Sequence, residues 1–307
     1  MHESTPGEAM NITLEIEKLD ECPLCGGKDL RDLLTTRDFQ SGLGDFLIQE
    51  CPDCGLAFTN PRPTEKSIPL LYSGRDTPDF AAGIKSVTQR LRGLSIRSYL
   101  RRRIPSESGD QLNVLDFGCG DGSLSFHAAT APARPIVTSV DFHDQSPPLL
   151  SETGGRATYK SYWDWRENPE LYDVIFLRHV LEHHPEPSRL LAELTQSLKP
   201  GGTVHIEVPN RRSVWARIFG QNYFAYYVPR HLMHFDATSL ARAINGSGLT
   251  LVEIRKGHTP QIGGSIGNVL SRHIDNLSVF GVLLYPLQVL LDSAFGLSTT
   301  LRASARR

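Results

Sequence analysis

Short apolar runs recur along the second half of the chain, separated by glycine, proline and charged residues. They predict β-strands at 112–116, 135–140, 157–162, 172–177 and 203–210. The fourth run is nearly continuous, as expected for a central parallel strand that is covered on both faces. Pro187 can begin the helix after it, whose apolar face is formed by Leu190, Leu191, Leu194 and Leu198. The alternation of strands and helices predicts an α/β domain.

A glycine turn follows the first of these strands directly. Its residues have the spacing G-x-G-x-G and are Gly118, Cys119, Gly120 and Gly122. Glycines let the backbone approach a bound ligand, and residues 123–129 can begin a helix whose first amides meet it. A dinucleotide site instead has G-x-G-x-x-G, and Asp116, just before the turn, would repel a pyrophosphate but can pair with a cationic amino acid group. The turn therefore favours S-adenosylmethionine as cofactor over a nicotinamide dinucleotide.

Acidic and aromatic residues follow the second and third strands. Asp141 ends the second strand, where a carboxylate can accept hydrogen bonds from both ribose hydroxyls, and Phe142 can pack against adenine. After the third strand, Asp164 is the candidate for the adenine amino group and Trp163 for a wall of the pocket. The alternative is that Asp141 caps a turn and that the tryptophan fills the core.

Four cysteines form two identical C-P-x-C-G units. They are Cys22, Cys25, Cys51 and Cys54. This spacing lets two tight turns supply four thiolates to one zinc ion, and the glycine after each second cysteine fits the turn. Two disulfides or redox pairs are the alternatives, but a chain in the cytoplasm keeps its thiols reduced. With all four positions used by protein, the predicted zinc is structural.

Composition and charge narrow the class of protein. The chain has 307 residues, a net charge of −2, 39% hydrophobic and 21% charged residues, which is ordinary for a globular protein and disfavours nucleic acid as a partner. Seven arginines and lysines without an acid lie at 85–103, and we interpret them as a solvated helix face. The first twenty residues contain acids and lack an apolar core, so they predict no signal peptide and a cytoplasmic protein.

The predicted organisation has three parts. They are an N-terminal zinc ribbon at 1–73, a basic helical linker or lid at 74–110 and a catalytic domain at 111–307, with an acceptor loop at 211–235 and an apolar helical insertion at about 265–297. The apolar stretch at 277–297 approaches membrane-spanning length but is interrupted by Pro286, Gln288 and Asp292. A kinked helix packed on the domain or on a second subunit is favoured over a peripheral membrane contact.

The segments VLDFGCGDG (114–122), YDVIFLRHVLEHHPEP (172–187) and LKPGGTVHIEVPN (198–210), with Asp141 between the first two, resemble in order those of class I S-adenosylmethionine-dependent methyltransferases of the type 11/type 23 group. The resemblance covers about residues 112–256. It implies a Rossmann-like, seven-stranded, mostly parallel sheet with an antiparallel final strand, for which 249–254 and 300–305 are the closing hairpin. It also implies cofactor contacts by Asp116, Asp141 and the residues of the glycine turn, and by the backbone of Arg178 or His179.

The cysteine units, together with residues 56–64 and Leu71-Tyr72, resemble a bacterial subgroup that carries a zinc ribbon before the catalytic domain. Many of its members act in pathways for cell-surface glycans or specialised metabolites, and some deoxysugar C-methyltransferases share the layout. The resemblance implies methyl transfer by direct displacement to a small-molecule, sugar or specialised-metabolite acceptor, with O- or C-methylation favoured. Glycan, lipid-linked and hydrophobic acceptors fit this class, and a homodimer is a further expectation.

A base is needed only when the acceptor loses a proton. His231 is the first candidate and His183 the second, with Tyr223 as a third; the alternative for any one histidine is a hydrogen-bonded structural role. The segment 222–235 resembles the acceptor-side loop of the family. The competing functions are an rRNA methyltransferase with a zinc module, which only the basic helix favours, a zinc-ribbon adaptor that binds the cofactor without turnover, and a nicotinamide oxidoreductase.

Overall fold

The N-terminal part of the protein is a small antiparallel β-structure. The computed structural model describes residues 14–72, 82–105, 111–143, 145–270, 279–295 and 297–307. Its first strands are β1 (Ile16–Glu17), β2 (Arg31–Arg37), β3 (Asp45–Glu50), β4 (Ala57–Thr59) and β5 (Arg62–Pro63). β2, β3 and β4 pair antiparallel in sequence order, and β1 pairs with β5. The strand predicted before the second cysteine unit is β3.

Helices and strands alternate through the rest of the described chain. The helices are α1 (Ala82–Arg101), α2 (Ser123–Ala129), α3 (Tyr162–Glu167), α4 (Pro187–Gln196), α5 (Val214–Phe219), α6 (Ala237–Gly246), α7 (Ile262–Val269) and α8 (Val279–Ala294). The strands are β6 (Asn113–Phe117), β7 (Ile136–Asp141), β8 (Ala157–Ser161), β9 (Tyr172–Arg178), β10 (Leu198–Pro209), β11 (Met233–His234), β12 (Thr250–Gly257) and β13 (Thr300–Arg306). Pro187 begins α4, and Asp236 caps α6 through a capping box with Ser239.

A seven-stranded sheet occupies the centre of the protein. Its order is β12-β13-β10-β9-β6-β7-β8. The neighbours from β10 to β8 are parallel, whereas β13 lies antiparallel between β10 and β12. The predicted Rossmann-like sheet is confirmed, and so is the closing antiparallel hairpin, into which α7 and α8 are inserted.

Both faces of the sheet are covered, and the strand residues alternate between them. On β9, Val174 and Phe176 pack in the cluster that includes α1 and α2, whereas Ile175 and Leu177 pack with α4 and α6. This alternation follows from the two-residue period of a strand. The second cluster continues into the ribbon through Leu56 and Phe58.

Leu198 differs from the prediction. The helix that was expected to include it ends at Gln196, and Leu198 begins β10, where it pairs with Tyr172. The residue is fully buried. Burial satisfies a leucine in either structure, so the apolar spacing alone could not locate the end of the helix.

The N-terminal sheet receives its fourth strand from the other part of the chain. β11 pairs antiparallel with β4, with Met233 opposite Phe58 and His234 opposite Ala57. The ribbon therefore shares a sheet as well as an apolar cluster with the α/β part. The predicted domain limits stay a prediction, but any boundary near residue 73 separates strands that are hydrogen-bonded to each other.

The polar residues in the C-terminal apolar stretch fasten α8 to the protein. Asp292 accepts hydrogen bonds from the indole nitrogen of Trp215 at 2.7 Å and the Nδ1 of His258 at 3.0 Å. Gln288 accepts from the backbone amide of Gln261 at 3.1 Å, at the beginning of α7. Among the described residues, no helix is both long and apolar enough to cross a membrane. A homodimer or a peripheral membrane contact through 277–297 stays a prediction, and residues 277, 278 and 296 lie outside the described part.

Candidate functional site

The glycine turn and the loop after β9 meet at one edge of the sheet. The chain passes from β6 outward to β7 and β8, and then returns to β9 on the opposite side of β6. In an open α/β sheet, such a reversal opens a crevice beyond the carboxyl ends of the strands, where ligands bind. The loop after β6 carries the glycine turn, and the loop after β9 carries residues 179–186.

Gly118 is required by a close contact between these two loops. Its φ of +74° lies in the left-handed region, and a Cβ there would lie 2.1 Å from Cγ2 of Val180. No side chain fits at that distance, so the turn can approach the β9 loop only without one. Gly120 and Gly122 also have positive φ, and Cys119, between Gly118 and Gly120, is buried.

Asp116 lies beneath the turn in a chain of buried hydroxyl groups. Ser139 donates to Ser125 at 2.7 Å, and Ser125 donates to Oδ2 of Asp116 at 2.6 Å. Burial raises the pKa of Asp116 to about 6, although the bond from Ser125 and the charge of Arg178 oppose the shift. The carboxylate therefore carries a costly charge near neutral pH, which a cationic ligand group would stabilise.

Asp141 closes against the glycine turn. Its Oδ2 accepts from the amide of Gly120 at 2.8 Å, and its Oδ1 accepts from the amide of Phe142 at 2.7 Å. Each carboxylate oxygen can accept a second bond, so both keep capacity for a ligand hydroxyl. The turn and the end of β7 therefore present amides and a carboxylate to the same space.

Aromatic rings line the side of the crevice next to Asp141. Phe142 lies 4.6 Å from Tyr162 and 6.3 Å from Phe117 between ring centroids, and Trp163 lies 5.0 Å from Tyr162. Phe142 is 46% exposed and Trp163 54% exposed. They offer apolar faces to a ligand, as expected of residues that contact a purine.

Asp164 has a local structural partner. Ser161 caps α3 by accepting from the amide of Asp164 at 3.2 Å, and its hydroxyl donates to Oδ2 of Asp164 at 2.7 Å. The predicted contact of Asp164 with adenine stays a prediction, since this bond uses one of its two carboxylate oxygens.

Arg178 is the last residue of β9, and His179 follows it. The guanidinium of Arg178 pairs with Glu207 at 2.9 Å, and Arg302 pairs with the other oxygen at the same distance. Burial alone would raise the pKa of Glu207, but Arg178, His179 and Arg302 lower it to about 2. His179 has a φ of +55° and donates its amide to the carbonyl of Glu207 at 2.8 Å. Such a conformation costs free energy in a residue with a side chain and is concentrated at functional sites.

A cluster of buried side chains lies beyond His179. Glu182, His183 and His231 each offer one ligand atom within 4.8 Å of the others. The two imidazole rings are 4.6 Å apart, and Nδ1 of His179 lies 3.1 Å from Oε1 of Glu182. Burial lowers the pKa of both His183 and His231, so both are neutral near pH 7. The structure thus brings together the two histidines that were predicted as bases.

Tyr223 does not share this cluster's hydrogen bonds. Its hydroxyl donates to Oε1 of Gln261, and its ring packs with Tyr226 in a separate apolar cluster. Burial raises its pKa, which disfavours a phenolate. Its catalytic role stays a prediction. Tyr72, in contrast, is not among the predicted site residues, but its hydroxyl lies 2.9 Å from Nδ1 of His183.

The four predicted zinc cysteines converge. Their Sγ atoms all lie within 4.8 Å of one another, with 3.5 Å between Cys22 and Cys54 and 3.6 Å between Cys25 and Cys51. Tetrahedral zinc with bonds of about 2.3 Å separates its sulfurs by about 3.8 Å, which these distances approach. The backbone amides of Leu24 and Leu56 lie 3.5 Å from Sγ of Cys22 and Cys54. The donor set fits a four-thiolate metal site.

The ribbon holds the segment that contains His231. The amide of Thr59 donates to the carbonyl of Leu232 at 2.9 Å, and its hydroxyl donates to the carbonyl of His231 at 2.9 Å. Arg62 donates to the carbonyl of Pro185 at 2.8 Å, in the loop that carries His183. Both loops of the histidine cluster are therefore bonded to ribbon strands.

A cavity of about 950 Å³ lies elsewhere. It is a groove between α1 and the β10, β13 and β12 end of the sheet, and it is lined by several cations, among them Arg103, Arg255 and Arg302. Arg178 contributes to it, so the side chain of this predicted cofactor residue points away from the glycine turn. A backbone contact remains compatible with this orientation.

Residues 88–254 match the sequence model of a protein family that is described as a methyltransferase domain. The chain belongs to this family. The match extends from within α1 through most of β12 and leaves out the ribbon. It covers more than half of the chain, together with the glycine turn, both loops of the crevice and the histidine cluster.

Curated relatives are similar over the same region. The ubiquinone biosynthesis O-methyltransferase of Burkholderia pseudomallei (strain 1710b) is 29% identical over 155 residues, which are 46% of this chain and 66% of the relative. The protein of the same name from Nitrosospira multiformis is 31% identical over 155 residues, or 46% of this chain and 64% of the relative. The chain thus spans slightly less than two thirds of their length.

Solved structures with low sequence identity are also similar. The magnesium protoporphyrin IX methyltransferase of Synechocystis PCC 6803, with bound SAH, is 14% identical with a TM-score of 0.46, covering 79% of this chain and 94% of its own. The [4+2]-cyclase SpnF is 15% identical with a TM-score of 0.45, covering 70% and 81%.

Proposed function

We propose that this protein is an S-adenosylmethionine-dependent methyltransferase that methylates a hydroxyl group of a small-molecule acceptor. The proposal depends on one observation: two carboxylates flank the glycine turn at the point where the strand order of the sheet reverses. They are the buried Asp116 and Asp141, which accepts from the amide of Gly120. One can pair with the ammonium of the cofactor and the other with its ribose. Family membership and relatives named as O-methyltransferases support the same activity.

The other residues of the crevice extend this arrangement. The glycine turn lets the backbone approach the methionine part of the cofactor closely; its residues are Gly118, Cys119, Gly120 and Gly122. The backbone of His179 lies on the opposite side of the methionine part. Phe142 and Trp163 supply the exposed rings for adenine, with Asp164 beside them. Arg178 acts through Glu207, whose ionised carboxylate fixes the end of β9.

Transfer itself requires little acid or base chemistry. The acceptor oxygen attacks the methyl carbon in line, and the bond from carbon to sulfur breaks with its electrons left on a neutral thioether. Alignment of the two reactants can supply about 7 to 11 kcal/mol of the barrier reduction. A hydroxyl acceptor must lose its proton, and the neutral pair His231 and His183 is the local group that can receive it.

We also propose that the cysteine cluster binds structural zinc. Four thiolates leave no position for a substrate or water, so the ion stabilises the ribbon and, through β4 and β11, the segment of His231. Removing the ion is expected to lower methyl transfer more than cofactor binding, because the glycine turn has no hydrogen bond to the ribbon strands among the described residues.

The test combines binding with turnover. Calorimetric titration with S-adenosylhomocysteine measures the cofactor site, and transfer of a labelled methyl group to a panel of phenols, catechols and sugar hydroxyls measures the reaction. His231→Gln is expected to reduce turnover and leave the affinity for S-adenosylhomocysteine within a small factor, with His127→Gln as the matched control on α2. Tight binding with no transfer to any acceptor of the panel would favour the adaptor hypothesis, and transfer to carbon would contradict the proposed methylation of a hydroxyl group.

A further inference from the structure

Three electron-pair donors converge in the cluster of Glu182, His183 and His231. Nδ1 of His183 lies 3.0 Å from the carbonyl of Arg230, and Nδ1 of His231 lies 2.8 Å from the carbonyl of Ala225. A carbonyl oxygen only accepts hydrogen bonds, so each Nδ1 carries a proton. The hydroxyl of Tyr72, 2.9 Å from Nδ1 of His183, then accepts from the same N–H. The remaining nitrogen of each ring, Nε2, therefore presents a lone pair.

The carboxylate in the cluster has an oxygen without a partner. Glu182 is 1% exposed, and its Oε1 is held by Nδ1 of His179 at 3.1 Å. Its Oε2 is buried and has no hydrogen-bond partner among the described residues. An unpaired carboxylate oxygen beside two imidazole lone pairs is unfavourable unless a cation or donor lies among them.

The partners of these groups are those expected around a metal. A histidine ligand usually donates its second ring N–H to a carbonyl or carboxylate, which orients the ring and makes the other nitrogen more basic. Both histidines here donate to backbone carbonyls, and the carboxylate accepts from His179. The amide of Leu232 also donates to the carbonyl of Glu182 at 2.8 Å, which joins the two loops that carry the donors.

We propose that Glu182, His183 and His231 bind a divalent transition-metal ion of the zinc type, distinct from the ion of the cysteine cluster. Two imidazoles and one carboxylate are a donor set of catalytic zinc sites and of other open transition-metal sites. Three protein ligands leave at least one coordination position free. The chemical class of the ligand at that position is an oxygen donor, such as a hydroxyl of the acceptor.

This inference deepens the proposed function and rests on it only for the role of the metal. An acceptor hydroxyl bound to the ion loses its proton to solvent more readily, because the ion stabilises the anion. The oxygen then forms a bond to the methyl carbon, and the bond from carbon to sulfur breaks with its electron pair left on sulfur. With the ion bound, the two histidines orient it and the proton goes to solvent, in place of the transfer to His231 and His183 that the proposed function assigns to the metal-free pair.

Cobalt titration of the full chain separates the two sites. The metal-free, reduced protein receives Co²⁺ in steps while its absorption is recorded. Cobalt bound by the four cysteines gives sulfur-to-metal charge transfer in the near ultraviolet, whereas cobalt bound by Glu182, His183 and His231 gives only ligand-field bands. We expect two equivalents per chain, one with and one without the sulfur transition, and two zinc ions by elemental analysis of protein loaded with zinc and desalted.

Matched variants assign the second equivalent. Glu182→Gln is expected to lower the affinity for the second cobalt ion and to leave the sulfur transition unchanged. The loss should be at least as large as the roughly 10- to 100-fold that removal of a ligand's hydrogen-bond partner costs. His127→Gln, on α2, keeps both equivalents. One metal per chain in the wild type, or a second equivalent that persists unchanged in Glu182→Gln, would overturn the inference. The titration of the wild type decides the matter even if the variant does not fold.

Methyl transfer is measured separately. If the second ion binds and its selective removal abolishes transfer with S-adenosylhomocysteine affinity retained, both proposals hold. If the ion binds but no acceptor is methylated, the metal site stands and the proposed function fails. If transfer proceeds at full rate with only the cysteine site loaded, the histidines act without a metal and the proposed role of the second ion in transfer is wrong.

Discussion

Replacing Asp116 by asparagine tests the cost of the buried charge beneath the glycine turn. The pKa of this carboxyl is raised from 3.8 to about 6 by burial. About two pKa units correspond to about 3 kcal/mol by which the ionised group destabilises the folded protein at pH 7.5. Asparagine has nearly the same shape and can accept the hydrogen bond from Ser125, but it carries no charge.

The sign of the pH dependence follows from the direction of the shift. Between pH 4 and 6 the folded protein binds more protons at Asp116 than the unfolded chain does, so the free energy of unfolding falls as pH rises through this range. The variant lacks this contribution. Its stability relative to the wild type is therefore expected to be about 2 kcal/mol greater at pH 7.5 than at pH 4.5, whatever constant cost the buried amide adds.

The same change is expected to impair the cofactor site. Loss of a charged hydrogen-bond partner for the ammonium removes about 1.5 to 3 kcal/mol, or about 10- to 150-fold in affinity for S-adenosylhomocysteine at pH 7.5. The wild-type affinity is expected to fall as pH drops below about 6, while that of the variant stays level. Urea denaturation and calorimetric titration at several pH values measure both effects.

Asp45→Asn is the control, because this exposed carboxylate pairs with Arg37 at the edge of the ribbon. It should change neither quantity. The reasoning would be refuted if Asp116→Asn followed the wild-type stability across pH, or if it bound S-adenosylhomocysteine with unchanged affinity.

Three further substitutions test separate parts of the structure. Glu207→Gln removes the charged partner of two arginines. Because the pKa of Glu207 is lowered from 4.5 to about 2, its carboxylate contributes about 3 kcal/mol of stability to the wild type above pH 4.5, and this contribution is lost as pH falls towards 2. In urea denaturation the variant should lack this contribution at all pH values. Gly118→Ala should destabilise the protein by about 1 to 3 kcal/mol and abolish S-adenosylhomocysteine binding. Adding Val180→Ala to this variant should restore only part of the stability, because the positive φ of residue 118 remains. A tolerated Gly118→Ala would contradict the contact with Val180. Thr59→Val removes the hydroxyl that binds the carbonyl of His231 and should lower turnover more than cofactor affinity, whereas an unchanged turnover would show that the ribbon does not position this histidine.

Local pattern was sufficient for the cofactor side of the crevice. Residues 112–129 contain a buried strand, a turn of glycines and a helix start, and each depends on residues that are near one another in the chain. The structure has them as β6, a turn with three left-handed glycines, and α2. Local pattern was also sufficient for the cysteine units, because each C-P-x-C-G turn is held by a hydrogen bond within the turn. The amides of Gly26 and Gly55 donate to the carbonyls of Cys22 and Cys51, respectively.

The cluster of Glu182, His183 and His231 was decided by tertiary structure. The sequence singled out His183 and His231 as separate candidates, but nothing in the 47 residues between them showed that their rings would be 4.6 Å apart. Tyr72 and Glu182 join them only because the loop after β9 lies beside β11, which in turn pairs with a ribbon strand. Periodicity reports which face of an element is apolar, whereas the contacts between distant loops depend on how whole elements pack. The sequence by itself therefore determined the glycine turn and the cysteine units, and only the fold determined the group of side chains that is proposed to face the acceptor.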